Sequence, residues 1–380
     1  MPTIRLDSVE LRELRVPLKH AFETSFGRVT ARQVLIVKVQ DRDGAEGYGE
    51  CVAMAGPYYN AETADTARIV IEKHLVPLLA ASPIESAAEV NGRFGCVRGN
   101  QMAKGAVEAA IWDLEAKLAG VPLWKHIGGE KKEIACGVSI GIQPSVAALL
   151  EKVAAELACG YQRIKIKIKP GSDVKLVEAV RSRYPDILFS VDANSAYFLD
   201  RDLDVMKKLD EYSLLMIEQP LRAGDLFDHA KLQKQLKTSI CLDESIATAE
   251  DARQALEIGS CRIINIKLGR VGGFSEAKEI ESLARAAGIP VWCGGMLETG
   301  IGRAHNIALS TLPGFTLPGD VSASERYWQE DIVDPPITVS AQGMISAPAS
   351  PGIGYGVNLR RLESFTTRCD EISLSARVQV

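Results

Sequence analysis

Five charged residues recur along the chain at a nearly constant interval. They are Lys167, Asp192, Glu218, Asp243 and Lys267, and their successive separations are 25, 26, 25 and 24 residues. About 25 residues is the length of one strand and one returning helix, so the spacing predicts successive β/α units. In a parallel β/α barrel the C-terminal ends of the strands open onto one face, where active sites lie. We therefore expect the five side chains to meet at one mouth.

The three carboxylates end apolar runs, in the segments LFSVDAN, LLMIEQP and ICLDES. A single acid at such a place could be a salt-bridge partner or a helix cap, but three at one mouth would repel each other without a cation. Mg²⁺ suits a few carboxylates together with water and substrate oxygens. We therefore predict that Asp192, Glu218 and Asp243 bind Mg²⁺, with Mn²⁺ as a substitute ion.

The lysines suggest the chemistry. Lys165, Lys167 and Lys169 alternate along one strand and share a face, and Lys267 ends the sixth strand, across the barrel from them. Two such lysines could reach opposite faces of one carbon. Lysine removes a proton only if burial or a nearby cation lowers its pKa, and Lys165 beside Lys167, together with the metal, would supply that cation. The assembly suits proton abstraction α to a carboxylate, with the metal stabilising the resulting enediolate.

The rest of the chain must build and cover this barrel. Seven strand-like runs, from EIACGVSIG (133–141) to PVWCGG (290–295), alternate with helical segments, and FTLPGD (315–320) is the candidate for an eighth. Residues 1–130 instead contain strands and then helices. We predict an α/β protein: a TIM-like (β/α)7β barrel at 131–329 and an α+β capping domain of residues 1–130, completed by a tail at about 330–380.

Two segments of the capping domain, 20–28 and 52–60, are rich in glycine, aromatic and hydroxyl residues. Loops of this composition often cover a site, although an ordinary surface-loop role is equally open.

Composition excludes several classes of function. The 380 residues carry a net charge of −5, so no basic excess favours nucleic acid or an anionic membrane surface. The eight cysteines are scattered without a CxxC motif, which indicates reduced thiols. No stretch approaches the ~18 apolar residues of a membrane span, and the N-terminus has no signal-peptide core. We expect a cytoplasmic protein that binds neither nucleic acid nor membrane.

Six motifs in order resemble the muconate-lactonizing branch of the enolase superfamily, and within it the o-succinylbenzoate synthase/N-succinylamino acid racemase family. They are RIKIKIKPG (163–171), VDAN (191–194), IEQPL (217–221), LDES (242–245), NIKLGRVGG (265–273) and CGGMLETGIGRAHN (293–306). The resemblance spans nearly the whole chain and implies that Lys167 and Lys267 are the catalytic lysines, with the three strand-end acids as metal ligands. It makes Lys165 and Asn194 supporting contacts to the substrate. Lys169 lies beyond the family pattern and stays open as a base.

The resemblance implies a Mg²⁺-dependent syn-dehydration of 2-succinyl-6-hydroxy-2,4-cyclohexadiene-1-carboxylate to o-succinylbenzoate, a step of menaquinone biosynthesis. Lys167 would be the base and then the acid, and Lys267 a stabilising cation. The alternative is racemisation of N-succinylamino acids by the same two lysines. Arg270 could tune Lys267 for that reaction or could be a surface residue. The expected partner is a small-molecule carboxylate, and relatives suggest a homo-oligomer between dimer and octamer.

Other classes of function stay open from the residues alone. Lys267 could form a Schiff base, which borohydride would trap, or the paired carboxylates could hydrolyse glycosides. Neither reading explains three carboxylates and two lysines together. A non-catalytic metal-binding scaffold is the last alternative, and it would tolerate loss of both lysines.

Overall fold

The computed structural model describes residues 3–24 and 27–374. They form a four-stranded antiparallel sheet, a seven-stranded parallel sheet and two two-stranded pairs. No helix among these residues is long and apolar enough to cross a membrane.

The antiparallel sheet joins the two ends of the chain. Its strands are β1 (Leu6–Thr24), β2 (Gly27–Asp41), β3 (Glu46–Cys51) and β15 (Thr366–Ser373), in the spatial order β15-β1-β2-β3. Val9 and Leu11 of β1 are fully buried and pair with Val39 and Val37 of β2. Because alternate side chains of a strand share one face, this apolar row gives the sheet an inner side on which helices pack.

Short helices and one long helix follow β3 along the chain. They are α1 (Ala64–Val70), a π-helical turn (Ile71–Leu75), α2 (Val76–Ala80), α3 (Val90–Arg93) between 3₁₀ turns (Ala87–Glu89 and Phe94–Cys96), α4 (Gln101–Leu118) and α5 (Leu123–His126). The long helix α4 lies directly on β3. A Cβ added at Gly49 would lie 2.0 Å from the carbonyl oxygen of Ala106, so only glycine permits this approach.

The parallel sheet follows the chain order without interruption. Its strands are β5 (Gly137–Ile140), β6 (Arg163–Lys167), β7 (Leu188–Asp192), β8 (Met216–Glu218), β9 (Ser239–Leu242), β10 (Ile263–Ile266) and β11 (Val291–Cys293). Almost every residue in them is buried, as expected for strands covered on both faces. The α/β class and the seven repeating strands of the prediction are confirmed, with a separate N-terminal capping domain.

One helix or a pair of helices follows each of these strands. They are α6 (Val146–Ala158), α7 (Val174–Arg183), α8 (Leu199–Leu209) with a 3₁₀ turn (Asp210–Tyr212), α9 (Leu226–Gln233), α10 (Ala249–Ile258), α11 (Leu268–Val271), α12 (Phe274–Ala286) and α13 (Gly300–Ser310). The remaining short elements are β4 (Glu133–Ala135), a 3₁₀ turn (Ser324–Arg326), β12 (Val333–Asp334), β13 (Met344–Ser346), β14 (Gly356–Val357) and α14 (Leu359–Phe365). Ser145 and Thr248 cap the N-termini of α6 and α10 with their hydroxyl groups.

One strand prediction needs correction. The run at 133–141 is not one strand: β4 pairs with β13 outside the parallel sheet, and only β5 joins that sheet. The segment at 315–320 is not a continuous strand. It makes two isolated parallel bridges, Phe315 with Val291 and Gly319 with Cys136, one to each edge of the parallel sheet. Pro318 lacks an amide donor, which limits a regular ladder there.

The loop expected at 20–28 is instead the end of a long hairpin. After an irregularity between Pro17 and Phe22, β1 and β2 resume pairing, with Phe22 opposite Val29. Ser25 and Phe26 of that predicted loop lie outside the described residues. The segment at 52–60 is a loop, as expected.

Candidate active site and metal centre

Three carboxylates meet at the C-terminal edge of the parallel sheet. Asp192 ends β7, Glu218 ends β8, and Asp243 directly follows β9. One oxygen from each lies within 4.8 Å of the others, and the three residues are at most 1% exposed. Neighbouring parallel strands end at the same level, which brings together acids about 25 residues apart in the chain.

Two lysines of β6 contact this triad of carboxylates. Lys165 Nζ donates to Glu218 at 2.6 Å and pairs with Asp320 at 2.8 Å. Lys167 Nζ, one pleat closer to the mouth, donates to Asp192 at 2.6 Å and to Asn194 Oδ1 at 2.7 Å. Both lysines are buried, so their ammonium groups are balanced by carboxylates rather than by water.

Lys267 approaches the triad from the other side. It follows β10 and starts α11, and its Nζ donates to Asp243 Oδ2 at 2.8 Å. Lys167 contacts the first acid of the triad and Lys267 the last, so the two amines flank the carboxylates. Lys169 lies beyond the end of β6 and is exposed. The structure therefore does not bring Lys169 into the site.

The charges within the site shift one another's pKa values. Although burial opposes ionisation, Lys167 and Lys165 lower the pKa of Asp192 to about 2. Burial and the charge of Asp192 raise the pKa of Glu218. Burial alone would lower the pKa of Lys267, but Tyr59 and surrounding carboxylates raise it above its usual value. This direction is opposite to the lowering that proton abstraction requires, and a divalent cation on the same carboxylates would counteract it.

Tyr59 also belongs to the site, and no sequence motif pointed to it. It comes from the loop at 52–60, where its hydroxyl donates to Asp243 Oδ1 at 3.0 Å and accepts from Lys267 Nζ at 3.2 Å. The only sequence signal was a tyrosine pair in a loop suspected of covering a site. Tyr59 and Asp243 belong to different domains and are 184 positions apart in the chain. A local sequence pattern cannot predict such a contact.

Arg270 and Asp320 also belong to the site. Arg270 is 3% exposed and its guanidinium binds the carboxylate of Asp243, so the surface alternative for this residue is wrong. Asp320 pairs with Lys165 and also with Arg163, at 2.8 Å in each case. A signal for Asp320 existed, because it is an acid that ends an apolar run, like the three acids of the triad.

A cavity opens above the lysines and extends under the capping domain. Phe22 and Val29 of the hairpin and Met54 and Tyr59 of the loop at 52–60 form its upper wall. Its lower wall includes Lys165, Lys167, Asn194, Lys267 and Asp320. Both segments rich in glycine and aromatic residues thus line the cavity, and the ordinary surface-loop alternative does not hold for either.

The triad fits a divalent cation by its chemistry. All three candidate ligands are carboxylates, which hard cations such as Mg²⁺, Ca²⁺ and Mn²⁺ prefer, and no histidine or cysteine of the described residues belongs to the cluster. Asn194 does not contact the triad oxygens with its side chain; it accepts from Lys167 and donates to Glu244 at 2.9 Å. A buried acidic triad of this kind suggests a divalent metal.

Known families match both parts of the chain. The family described as mandelate racemase/muconate lactonizing enzyme, N-terminal domain, matches residues 7–128. The family described as enolase C-terminal domain-like matches residues 147–361.

Individual relatives agree along the full length. An o-succinylbenzoate synthase of Geobacillus stearothermophilus is 54% identical over 363 residues, covering 96% of each chain. An N-succinylamino acid racemase of Thermus thermophilus is 47% identical, covering 96% of this chain and 98% of the relative. A crystal structure of an enolase superfamily member from Listeria innocua superposes with a TM-score of 0.94 at 45% identity, covering 98% of this chain and all of that one. The chain therefore belongs to the mandelate racemase/muconate lactonizing enzyme family of the enolase superfamily.

Proposed function

We propose that the protein is a Mg²⁺-dependent o-succinylbenzoate synthase of menaquinone biosynthesis. One observation carries the proposal: two buried lysines, Lys167 and Lys267, flank a triad of carboxylates at the end of a parallel sheet. Relatives named o-succinylbenzoate synthase, 46–54% identical over at least 95% of this chain, support it.

The substrate of this proposal is 2-succinyl-6-hydroxy-2,4-cyclohexadiene-1-carboxylate. Lys167, as a neutral amine, takes the proton from the carbon that bears the ring carboxylate. The electron pair released from that C–H bond moves into the carboxylate, which gives the enediolate, and it then forms a ring double bond as the neighbouring C–O bond breaks. The same Lys167, now an ammonium, gives its proton to the departing hydroxide, so water leaves and the ring becomes aromatic. Lys267 stays protonated and stabilises the negative charge that develops on the substrate carboxylate.

Asp192, Glu218 and Asp243 are the residues that would hold Mg²⁺, or Mn²⁺ in its place. The cation would supply positive charge for the substrate carboxylate, whose negative charge grows as the α-proton leaves. Asn194 orients the Lys167 amine through its 2.7 Å contact. Lys165 lies one pleat deeper on β6 than Lys167 and is bound to Glu218 and Asp320. It adds positive charge near the substrate.

We also propose how the chain is divided. The barrel comprises residues 131–329, and residues 1–130 with the tail from about 330 form the capping domain. The segment at 315–320 acts as the eighth strand that closes a (β/α)7β barrel. Two hydrogen bonds support closure: Asp320 N donates to Cys293 O at 2.8 Å, and Gly137 N donates to Gly319 O at 2.6 Å.

A second activity, racemisation of N-succinylamino acids, has its own supporting observation. Each of the two amines binds a carboxylate of the triad at a similar distance: Lys167 lies 2.6 Å from Asp192, and Lys267 lies 2.8 Å from Asp243. A reaction on both faces of one carbon requires two amines placed in this way. Relatives named N-succinylamino acid racemase are 45–47% identical to this chain. In this reaction one lysine removes the α-proton and the other delivers a proton to the opposite face.

The cellular setting is part of the proposal. The cysteines are free thiols, which suits a cytoplasmic enzyme. Two large hydrophobic side chains are exposed, Phe227 of α9 (73% exposed) and Leu188 at the start of β7 (44% exposed), and they offer contact area for a homo-oligomer between dimer and octamer.

Steady-state turnover of the cyclohexadiene carboxylate tests the synthase, first with Mg²⁺ and then with EDTA. We expect metal-dependent formation of o-succinylbenzoate, and at least about a hundredfold loss in kcat for Lys167→Ala, because general acid–base catalysis contributes about 10²–10⁴-fold. Lys169→Ala is the matched control on the same segment and should retain activity. Absence of turnover by the metal-loaded protein would rule out the synthase, and chiral analysis of N-succinylamino acids would then test the racemase.

A further inference from the structure

A chain of two hydrogen bonds links Lys167 to an acid that the proposed reaction does not use. Lys167 Nζ donates to Asn194 Oδ1 at 2.7 Å, and Asn194 Nδ2 donates to Glu244 Oε1 at 2.9 Å. Glu244 follows Asp243 in the LDES motif but does not belong to the triad. Its second oxygen, Oε2, is buried and has no hydrogen-bond partner among the described residues. The bond to Asn194 is therefore what connects Glu244 to the site.

The backbone holds Asn194 and Glu244 in place. Asn194 has a left-handed backbone conformation, with a φ of 44°, which asparagine adopts more readily than most residues. On either side of Glu244, Asp243 N and Ser245 N donate to Gln219 Oε1 at 2.9 and 3.2 Å. Gln219 is fully buried, so it fixes the turn that carries Glu244. The main freedom left to Asn194 is a half turn of its amide about the Cβ–Cγ bond.

The orientation of this amide decides which atom faces Lys167. In the structure Oδ1 faces the amine and Nδ2 faces Glu244. A half turn would exchange the two atoms and place Oδ1 against Glu244. A carboxylate has no hydrogen to donate, so two acceptors would then lie together without a hydrogen bond. Glu244 therefore favours the orientation in which Asn194 Oδ1 faces Lys167.

This orientation leaves the lone pair of a neutral Lys167 free. A neutral amine has two N–H groups, and two acceptors are in place for them, Asp192 Oδ2 at 2.6 Å and Asn194 Oδ1 at 2.7 Å. The lone pair then occupies the remaining tetrahedral position of the nitrogen, and Lys167 lines the active-site cavity, where the substrate approaches. If Asn194 Nδ2 faced the amine instead, it would donate to the lone pair and occupy it.

We propose that Glu244 is a positioning residue: by holding the Asn194 amide, it keeps the lone pair of Lys167 available for the α-proton of the substrate. The other catalytic amine lies outside this chain of hydrogen bonds, because Lys267 Nζ donates to Asp243 and Tyr59. Loss of Glu244 should therefore slow proton transfer by Lys167 more than proton transfer by Lys267. The proposal rests on the proposed function, since it requires Lys167 to act as a base.

Deuterium exchange at the α-carbon separates the two lysines. In the racemase reaction each lysine removes the proton of one enantiomer, so NMR follows loss of the α-hydrogen from pure D- and pure L-N-succinylphenylalanine in D₂O with the Mg²⁺-loaded full chain. Lys167→Ala identifies the enantiomer that Lys167 deprotonates. Glu244→Ala should slow exchange of that enantiomer about tenfold relative to the other, as loss of one hydrogen bond to a charged group allows. Glu257→Ala, at an exposed site on α10, is the matched control and should change neither rate.

A double-mutant cycle tests whether Glu244 acts through Asn194. Glu244→Ala should cause no further loss in an Asn194→Ala background, because the amide that it holds is then absent. Equal slowing of the two enantiomers in Glu244→Ala would indicate general damage and would overturn the proposal. So would an unchanged ratio of the two rates, or additive losses in the cycle. If Glu244→Ala does not fold, Glu244→Met, which has a similar volume and only a weak acceptor, provides the same comparison.

The proposed function fails separately. A wild type that exchanges neither enantiomer but dehydrates the cyclohexadiene carboxylate loses the racemase activity only. The same variants are then compared in dehydration, where Glu244→Ala should lower kcat about tenfold at unchanged KM, with no further loss in the Asn194→Ala background. An unchanged kcat in Glu244→Ala would overturn the role of Glu244 and leave the synthase intact. A wild type inactive in both reactions would remove the proposed function and this proposal with it.

Discussion

At the scale of single residues, the capping domain contributes a polar group directly to the proposed reaction centre. The hydroxyl of Tyr59 lies between Lys267 Nζ and Asp243 Oδ1, and its ring is close enough to Lys267 for a cation–π contact, 4.7 Å from Nζ to the centroid. One residue of the cap thus contacts both Lys267, a proposed catalytic lysine, and Asp243, a candidate metal ligand. The site is complete only when the loop at 52–60 is folded over it.

Replacement of this hydroxyl has a specific expected result. Tyr59→Phe should lower kcat about tenfold, because it removes a hydrogen bond to charged partners worth about 1.5–3 kcal/mol while the ring stays in place. Tyr58→Phe is the control, since Tyr58 is 73% exposed in the same loop. Steady-state kinetics with the cyclohexadiene carboxylate measures both. An unchanged kcat in the Tyr59 variant would show that its hydroxyl does not support Lys267.

At the scale of elements, buried carboxylates of the capping domain bind the N-termini of helices that follow strands of the parallel sheet. Glu108 of α4 accepts from the amides of Phe274 and Ser275 at the start of α12. Glu50 of β3 accepts from Thr299 N at 3.0 Å and Gly302 N at 2.9 Å at the start of α13. The positive end of a helix dipole favours a carboxylate at such a place. These contacts hold the cap against the helices that follow β10 and β11.

The same carboxylates make stability depend on pH. Burial raises the pKa of Glu108 to about 7 and that of Glu50 to about 7, from an unfolded value of 4.5. The folded state retains these protons to a higher pH than the unfolded state does. The contribution of these groups to the free energy of unfolding is therefore largest below pH 4.5 and falls as the pH rises to about 7.

For each of these groups the free energy of unfolding falls by at most about 3.5 kcal/mol, at about 1.4 kcal/mol per pKa unit. Glu108→Gln should flatten that fall, whereas exposed Glu151→Gln should not. Urea denaturation at several pH values measures the slope. A slope in the Glu108 variant equal to that of wild type would contradict the argument.

At the scale of the whole molecule, cation binding and folding are linked. The triad draws its acids from three strands that are adjacent only in the folded sheet, so a divalent cation held by these acids would bind the native state far better than the unfolded chain. In the described structure Lys165, Lys167 and Lys267 partly neutralise the negative charge of these acids. Three buried carboxylates can therefore lie together at the C-terminal edge of the parallel sheet.

Removal of the cation should therefore lower the melting temperature. At 100 times the dissociation constant the bound ion contributes about 2.7 kcal/mol to the free energy of unfolding. Asp192→Asn should abolish the rise in melting temperature on adding Mg²⁺, while Asp186→Asn, at an exposed site, should keep it. Calorimetric melting with Mg²⁺ and with EDTA measures the shift. A Mg²⁺ response retained by the Asp192 variant would exclude it as a ligand.

The sequence by itself determined the repeating β/α units and the acids that end them. A strand and its returning helix are local structures, so their period and the residue at the end of each apolar run can be read from a short window. Asp192, Glu218, Asp243 and Lys267 come together for that reason, and the motifs around them carried the family resemblance.

Only the tertiary structure decided which further groups reach the site. The end of β6 at Lys167 separates the buried lysines from the exposed Lys169. Tyr59 enters from the cap, and Arg270 turns inward to Asp243. The hairpin at 20–28 and the discontinuous segment at 315–320 also depend on distant pairing partners. Contacts between segments far apart in the chain depend on tertiary packing, and such packing produces no periodic pattern of residues in the sequence.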